Sequence, residues 1–270
     1  MAPLVATGAA YALGVYRLAR RSRRGRAVGR RSVVSFAAGW VTLAAALASP
    51  LHELGERLFS AHMAQHELLM VVAAPLLVVG RPLAPMVWAL PRRWRRGATA
   101  WSRSRAWRAV WGVASAPWAA WTCYAVVFWL WHVPRAYEAA LGSEWVHALE
   151  HASFLGAALL FWWSVLPGAG GRGRGREGVG VLSLFTTAVH SSILGALLTF
   201  SAAPWYPVYE GGGAGVAGAL ADQQLAGLVM WVPAGASYVI VALWLAARWM
   251  RESDARAARS ELTFARIVER

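Results

Sequence analysis

Apolar positions in this chain neither alternate nor fall into short blocks. They recur in stretches long enough to cross a bilayer, which takes about 17 to 25 helical residues. Seven such stretches stand out, at 3–18, 33–49, 61–79, 109–131, 145–166, 179–201 and 224–247, and the first two are the shortest and somewhat polar. In hydrocarbon each backbone polar group has to be satisfied within its own segment, so these stretches are expected to be helices. The predicted fold class is all-α, a single polytopic domain forming a seven-transmembrane-helix bundle. Between the third and fourth stretches, Gly80 to Arg108 sets Pro82, Pro85 and Pro91 around a short apolar piece with Met86 and Trp88, which reads as an interfacial segment. Gly168 to Gly178 and Gly211 to Gly218 read as flexible loops. No connection exceeds 30 residues, so no separate soluble domain is expected, and no internal repeat is visible.

Composition agrees with this picture. Of 270 residues 58% are apolar and 15% charged, whereas a soluble domain carries about a quarter charged residues. All 27 basic residues are Arg, and the formal charge is +14. Their placement decides what that charge means. Eight fall between Arg17 and Arg31, eight between Arg81 and Arg108, three between Arg172 and Arg176 and six from Arg248 onward, while Arg57 and Arg135 alone fall in the alternate connections. By the positive-inside rule the N-terminus is expected outside and the C-terminus, with its basic tail 248–270, in the cytoplasm. The basic charge therefore orients the chain in a lipid bilayer, expected to be the bacterial plasma membrane, and nucleic acid is not an expected partner. The N-terminus lacks a basic region ahead of its apolar stretch, so an N-out first helix is expected there instead of a secretory signal. The single Cys123 excludes an internal disulfide framework and is expected to be a small buried residue. Trp129, Trp131, Trp145 and Trp205 read as interfacial anchors.

The histidines carry the candidate chemistry. His52 lies in the first outer loop, His62 and His66 begin the third stretch, His132 ends the fourth, and His147 and His151 begin the fifth. Six of the seven thus gather at one membrane face, while His190 sits near the middle of the sixth stretch, where an ionisable residue is costly. The spacing of His62 with His66 and of His147 with His151 stacks each pair on one helix face, about 6 Å apart along the axis. Two imidazoles so placed can chelate a metal ion. Met70 continues the first stripe and Met63 lies beside it, adding thioethers of the kind that suits Cu(I). Glu53, Glu56, Glu138, Glu144, Glu210 and Asp222 would make the outer mouth acidic and concentrate cations.

Other readings stand beside this one. A histidine in a membrane can simply hydrogen-bond between helices, and methionine is routine packing material. The string from His147 to His151 matches H-x-x-E-H, in which two His bind zinc and Glu150 serves as the base of a peptidase. No third ligand or open water position is marked, and the first pair lacks the Glu of H-E-x-x-H. Bis-imidazole haem ligation would need His from different helices.

At these residues the sequence resembles the membrane-embedded CtaG family of bacterial cytochrome c oxidase assembly factors. The matching strings are HMAQHELLMVVAAPLLVVGRP from His62, WHVPRAYEAAL from Trp131, HALEHASFLGAALLFWW from His147 and DQQLAGLVMWVP from Asp222. The resemblance implies a seven-helix assembly factor, not an enzyme, that helps copper reach the binuclear centre of a haem–copper oxidase. It implies His62, His66, His132, His147, His151 and Asp222 as site residues, with oxidase subunits and a copper donor protein as partners. Cu(I) is the expected metal and zinc the alternative; a purely structural scaffold is a further possibility. Ala74 before Pro75 and Glu67 beside His66 depart from the family pattern. His ligands bind metal only when neutral, so affinity is expected to fall as pH drops through about 6.5.

Overall fold

The computed structural model describes residues 2–21, 28–168, 176–211 and 215–268, and the side chains among them except those of residues 176 and 260–268. The central parts of both Gly-rich loops, 169–175 and 212–214, lie outside the described residues, as do Arg23, Arg24 and Arg26 of the first basic cluster. Among the described residues there is no strand.

The chain opens with α1 (Ala2–Arg21) and α2 (Arg30–Ala48). Ser49 then accepts from Leu51 N–H, and Pro50 at the first helical position starts the short α3 (Pro50–Gly55). One 21-residue apolar rod follows, α4 (Phe59–Glu67), a π-helical turn over Leu68–Ala73 and α5 (Ala74–Val79). Pro75 has no N–H to offer the preceding turn. The wider turn absorbs that loss, with Ala74 N–H reaching back to Leu69 O. Next come α6 (Leu83–Ala89), α7 (Arg92–Arg103), α8 (Arg105–Ala114) and α9 (Pro117–Trp131). Pro117 forces Ala116 into extended backbone, with ψ of 136°. α8 therefore ends at Ala114 and is bent 62° from α9. α10 (Pro134–Leu141), α11 (Glu144–Val165), α12 (Arg176–Thr199) and α13 (Gly215–Val268) complete the chain.

Among the described residues five helices are long and apolar enough to cross a membrane, and six if the bent α8–α9 pair counts as one span. The expected seven are thus met only in part by length and apolarity. α1 is 20 residues long, but Thr7, Tyr11, Tyr16 and Arg17 dilute its apolar run and it falls outside that set. The last helix does not stop near 247 but continues through the basic tail to Val268.

The rod from Phe59 to Val79 is the axis of the bundle, touching α2, α11 and α13. α12 and α13 pack closely because both present glycine at their contact. A Cβ on Gly227 would lie 2.6 Å from Gly195 O, and one on Gly195 would lie 2.6 Å from Trp231 Cβ. Small residues of this kind allow membrane helices to approach backbone to backbone. Two side-chain expectations are corrected. Cys123 is exposed on α9, and Trp131 is buried with its indole N–H donated to Ser153 Oγ at 2.8 Å. Trp145, 87% exposed, keeps the outward position of an anchor.

Candidate metal centre

The start of α4 is fixed from across the bundle. The first turn of any helix leaves backbone N–H groups without intrahelical partners, and a carboxylate there satisfies them and complements the helix dipole. Asp222 of α13 does this for α4. It accepts from Phe59 N–H at 2.6 Å, from Ser60 N–H at 3.3 Å and from the Ser60 hydroxyl. His62 and His66 follow one and two turns further on, both buried. α11 starts at the same end of the bundle and brings His147, Glu150 and His151, all buried, against them.

The four rings form a compact group. Centroids are 4.3 Å apart for His62 and His66, 4.4 Å for His147 and His151, 5.3 Å for His62 and His147, and 5.2 Å for His66 and His151. Glu150 lies between the helices, with one oxygen 3.5 Å from His62 Nε2 and the other 3.8 Å from His66 Nε2. His52 of α3 stacks on His147 at 5.2 Å, and its Nδ1 lies 3.2 Å from the Gln65 amide nitrogen, which also donates to Ala46 O. Two sets of donor atoms, each within 4.8 Å, result. One is His62, His66, Glu150 and His151; the other is His52, His147 and His151. They share His151.

A buried polar atom without a hydrogen bond is costly, and buried polar groups are nearly always paired. Here they are not. The Nε2 atoms of His62, His66, His147 and His151 and both oxygens of Glu150 are buried without a hydrogen-bond partner. Several inward-facing lone pairs of imidazole and carboxylate type form a set that a borderline transition-metal ion satisfies. The residues present thus fit a metal ion.

His132 stands just beyond the end of α9. Its Nδ1 meets Phe128 O at 2.6 Å and its buried Nε2 is unpartnered. Burial pulls its pKa down to about 4 against the opposing pull of the Phe128 carbonyl, so the ring is neutral at ordinary pH. It belongs to neither donor set. An aromatic roof covers the centre. Tyr137 meets the His62 ring at 5.1 Å and shares a 2.6 Å hydroxyl contact with Tyr209, which donates to Gly55 O, while Tyr206 donates to His132 O.

Other candidate residues lie elsewhere. Asp222 is engaged at the α4 terminus. Met63 and Met70 are buried in the apolar core, and the π-turn from Leu68 breaks the regular stripe that carried Met70 beneath His66. His190 packs among Trp121, Tyr124 and Phe128. The Tyr124 and Tyr238 hydroxyls lie 2.6 Å apart, and Glu67 belongs to neither donor set. Sequence reasoning missed Gln65 and the aromatic roof. A Gln inside an apolar stretch, one residue before His66, was the available signal.

Fold and site together define a helical membrane protein with a polar centre buried at one end of its bundle. A model of the cytochrome c oxidase caa3 assembly factor family matches residues 9–252. The chain belongs to that family, whose members are assembly factors for cytochrome c oxidase. Neither a curated protein nor a solved structure matches it.

Proposed function

We propose that the protein supports assembly of a haem–copper oxidase by holding copper at the centre formed by His62, His66, Glu150, His147 and His151 and releasing it to an oxidase subunit. The observation that carries this reading is the convergence of buried, unpaired imidazole and carboxylate atoms from separate helices. Copper here is cargo, so the site has to bind and also to let go. Two donor sets joined at His151 suit that task, because an ion can move between them by exchanging one ligand at a time. The set with His52, which is only half-buried, is the side of entry and exit. His62, His66 and Glu150, at 0 to 4% exposure, form the inner side. His132 and Met70 are not required.

Glu150 serves as a ligand in this account. Its oxygens face His62 and His66 within 4 Å, which supports coordination over the role of a peptidase base. Asp222 positions α4 and does not bind metal. The protein acts in the bacterial plasma membrane with its histidine centre outward, where a copper donor protein reaches it.

Metal analysis of the purified full-length protein tests the proposal. Copper is expected to co-purify or to load at up to one ion per chain, and to be lost when His62 and His66 are both replaced by Ala. Cells carrying only that variant should make an oxidase depleted in copper. Preferential zinc retention would replace the metal in this account, and normal oxidase copper with the double variant would overturn the function.

A further inference from the structure

The Arg-rich end of the bundle, opposite the histidine centre, holds a cavity that copper handling does not use. It has a volume of about 380 Å³ and its walls include Leu77, Leu83, Trp111, Gly156, Leu160 and Trp163. The bend at Pro117 makes it. Tilted 62° from α9, α8 leaves room between itself and α11. A row of indoles leads inward from the basic α7, with Trp101 5.8 Å from Trp107, Trp107 5.8 Å from Trp111, and Trp111 5.9 Å from Trp163 across the cavity. Indoles favour the boundary between headgroup and hydrocarbon.

Two arginines neighbour wall residues of this cavity along the chain. Arg81 immediately precedes the wall residue Pro82 and has φ of +49°, the only positive φ at a non-glycine among the described residues. Side chains avoid that region, and such strain persists where the surroundings hold it for a purpose. The Arg81 guanidinium lies against Gly168, just past the end of α11, so close that a Cβ there would come within 2.7 Å of it. Arg108 precedes Trp111 by three residues and so shares its face of α8. Among the described residues neither Arg81 nor Arg108 has a carboxylate partner.

We propose that this cavity binds an anionic phospholipid, with one acyl chain between α5, α8 and α11 and the phosphate held by Arg81 and Arg108. The apolar walls suit a chain with no polar group, and the two free guanidiniums suit a phosphate, which arginine engages through paired N–H donors. Neutral phospholipid would fill the cavity without compensating the charge. The inference stands apart from the copper proposal, which concerns the other end of the bundle.

The test uses the full-length protein, delipidated in detergent, and titrates phosphatidylglycerol, phosphatidylcholine of the same chains and inorganic phosphate, reading the thermal unfolding midpoint. Phosphatidylglycerol should raise the midpoint more than phosphatidylcholine, and phosphate alone should not. Gly156 lines the cavity and has nothing within 4 Å of a Cβ placed there, so Gly156→Leu puts a side chain into the space and should weaken the response. Arg81→Gly relieves the backbone, so its lipid-free midpoint should not fall, yet its affinity for phosphatidylglycerol should drop about fivefold. Size-exclusion profiles and helical circular dichroism matching the parent establish that both variants fold. Equal response to the two lipids, a Gly156→Leu variant that still responds as the parent does, or phosphate reproducing the shift would each overturn the site.

Discussion

Two polar clusters lie side by side at one end of this bundle, and they treat their donors and acceptors differently. Around Asp222 and Gln223 the bonding is complete. The carboxylate holds the first turn of α4, and the amide accepts from Trp205 N–H at 2.6 Å while facing the carbonyls of Leu198 and Ala203. Around Glu150 the ring nitrogens of His62, His66, His147 and His151 point at one another and at the carboxylate without a hydrogen bond among them. The first cluster is what a fold does with polar groups it needs for its own shape. The second costs stability as it stands, a cost that the proposed copper ion would offset.

Breaking the unpaired cluster should have the largest effect on metal. Replacing His62 and His66 together by Ala removes two donors, and loss of a supporting residue alone typically costs 10- to 100-fold. The double variant should therefore lose more than about 100-fold in copper affinity, read by chelator competition. Glu150→Gln keeps the shape and removes the anionic ligand. Copper affinity should fall by about tenfold, while the thermal midpoint of the metal-free protein should not drop, because a buried, unpaired carboxylate no longer has to be accommodated.

The bonded cluster should respond in the opposite sense. Asp222→Ala leaves the α4 terminus uncapped and should destabilise the protein by about 1 to 2 kcal/mol, with copper affinity of the folded molecules staying within about tenfold of the parent. Asp222→Asn should recover most of the stability. A loss of copper as deep as that of the histidine double variant, unrepaired by Asn, would make Asp222 a ligand after all. The smallest effect is expected at Glu67, which sits beside His66 but belongs to neither donor set. Glu67→Leu removes a carboxylate with a buried, unpaired oxygen, so stability should stay within about 1 kcal/mol of the parent and copper affinity should not change.

Local periodicity made the helices and the paired histidines legible in the sequence, because four-residue spacing fixes which side chains share a face whatever the helix packs against. The convergence of α3, α4 and α11 depends on tertiary contacts that no spacing encodes. That is why spacing did not reveal that His52, a secondary candidate read in a loop, stacks on His147, nor that Asp222 accepts from the first turn of α4. Met70 was placed by a 3.6-residue period, and the π-turn ahead of Pro75 breaks that period. The count of spans was legible only in part. Ala116-Pro117 bends one of them, and the polar residues of α1 keep it below the apolarity of the others. Cys123 and Trp131 exchange their expected environments because apolar side chains on a membrane helix face lipid as comfortably as core, so residue type alone does not say which way they point.

X-ray absorption at the copper edge of the loaded full-length protein tests the central claim most directly. The account predicts nitrogen and oxygen neighbours only, at about 2.0 Å, with outer-sphere scattering from at least two imidazoles that disappears in the His62 and His66 double variant. A first sphere dominated by sulfur, which would have to come from methionine or from Cys123, or a protein that retains no copper, would contradict it.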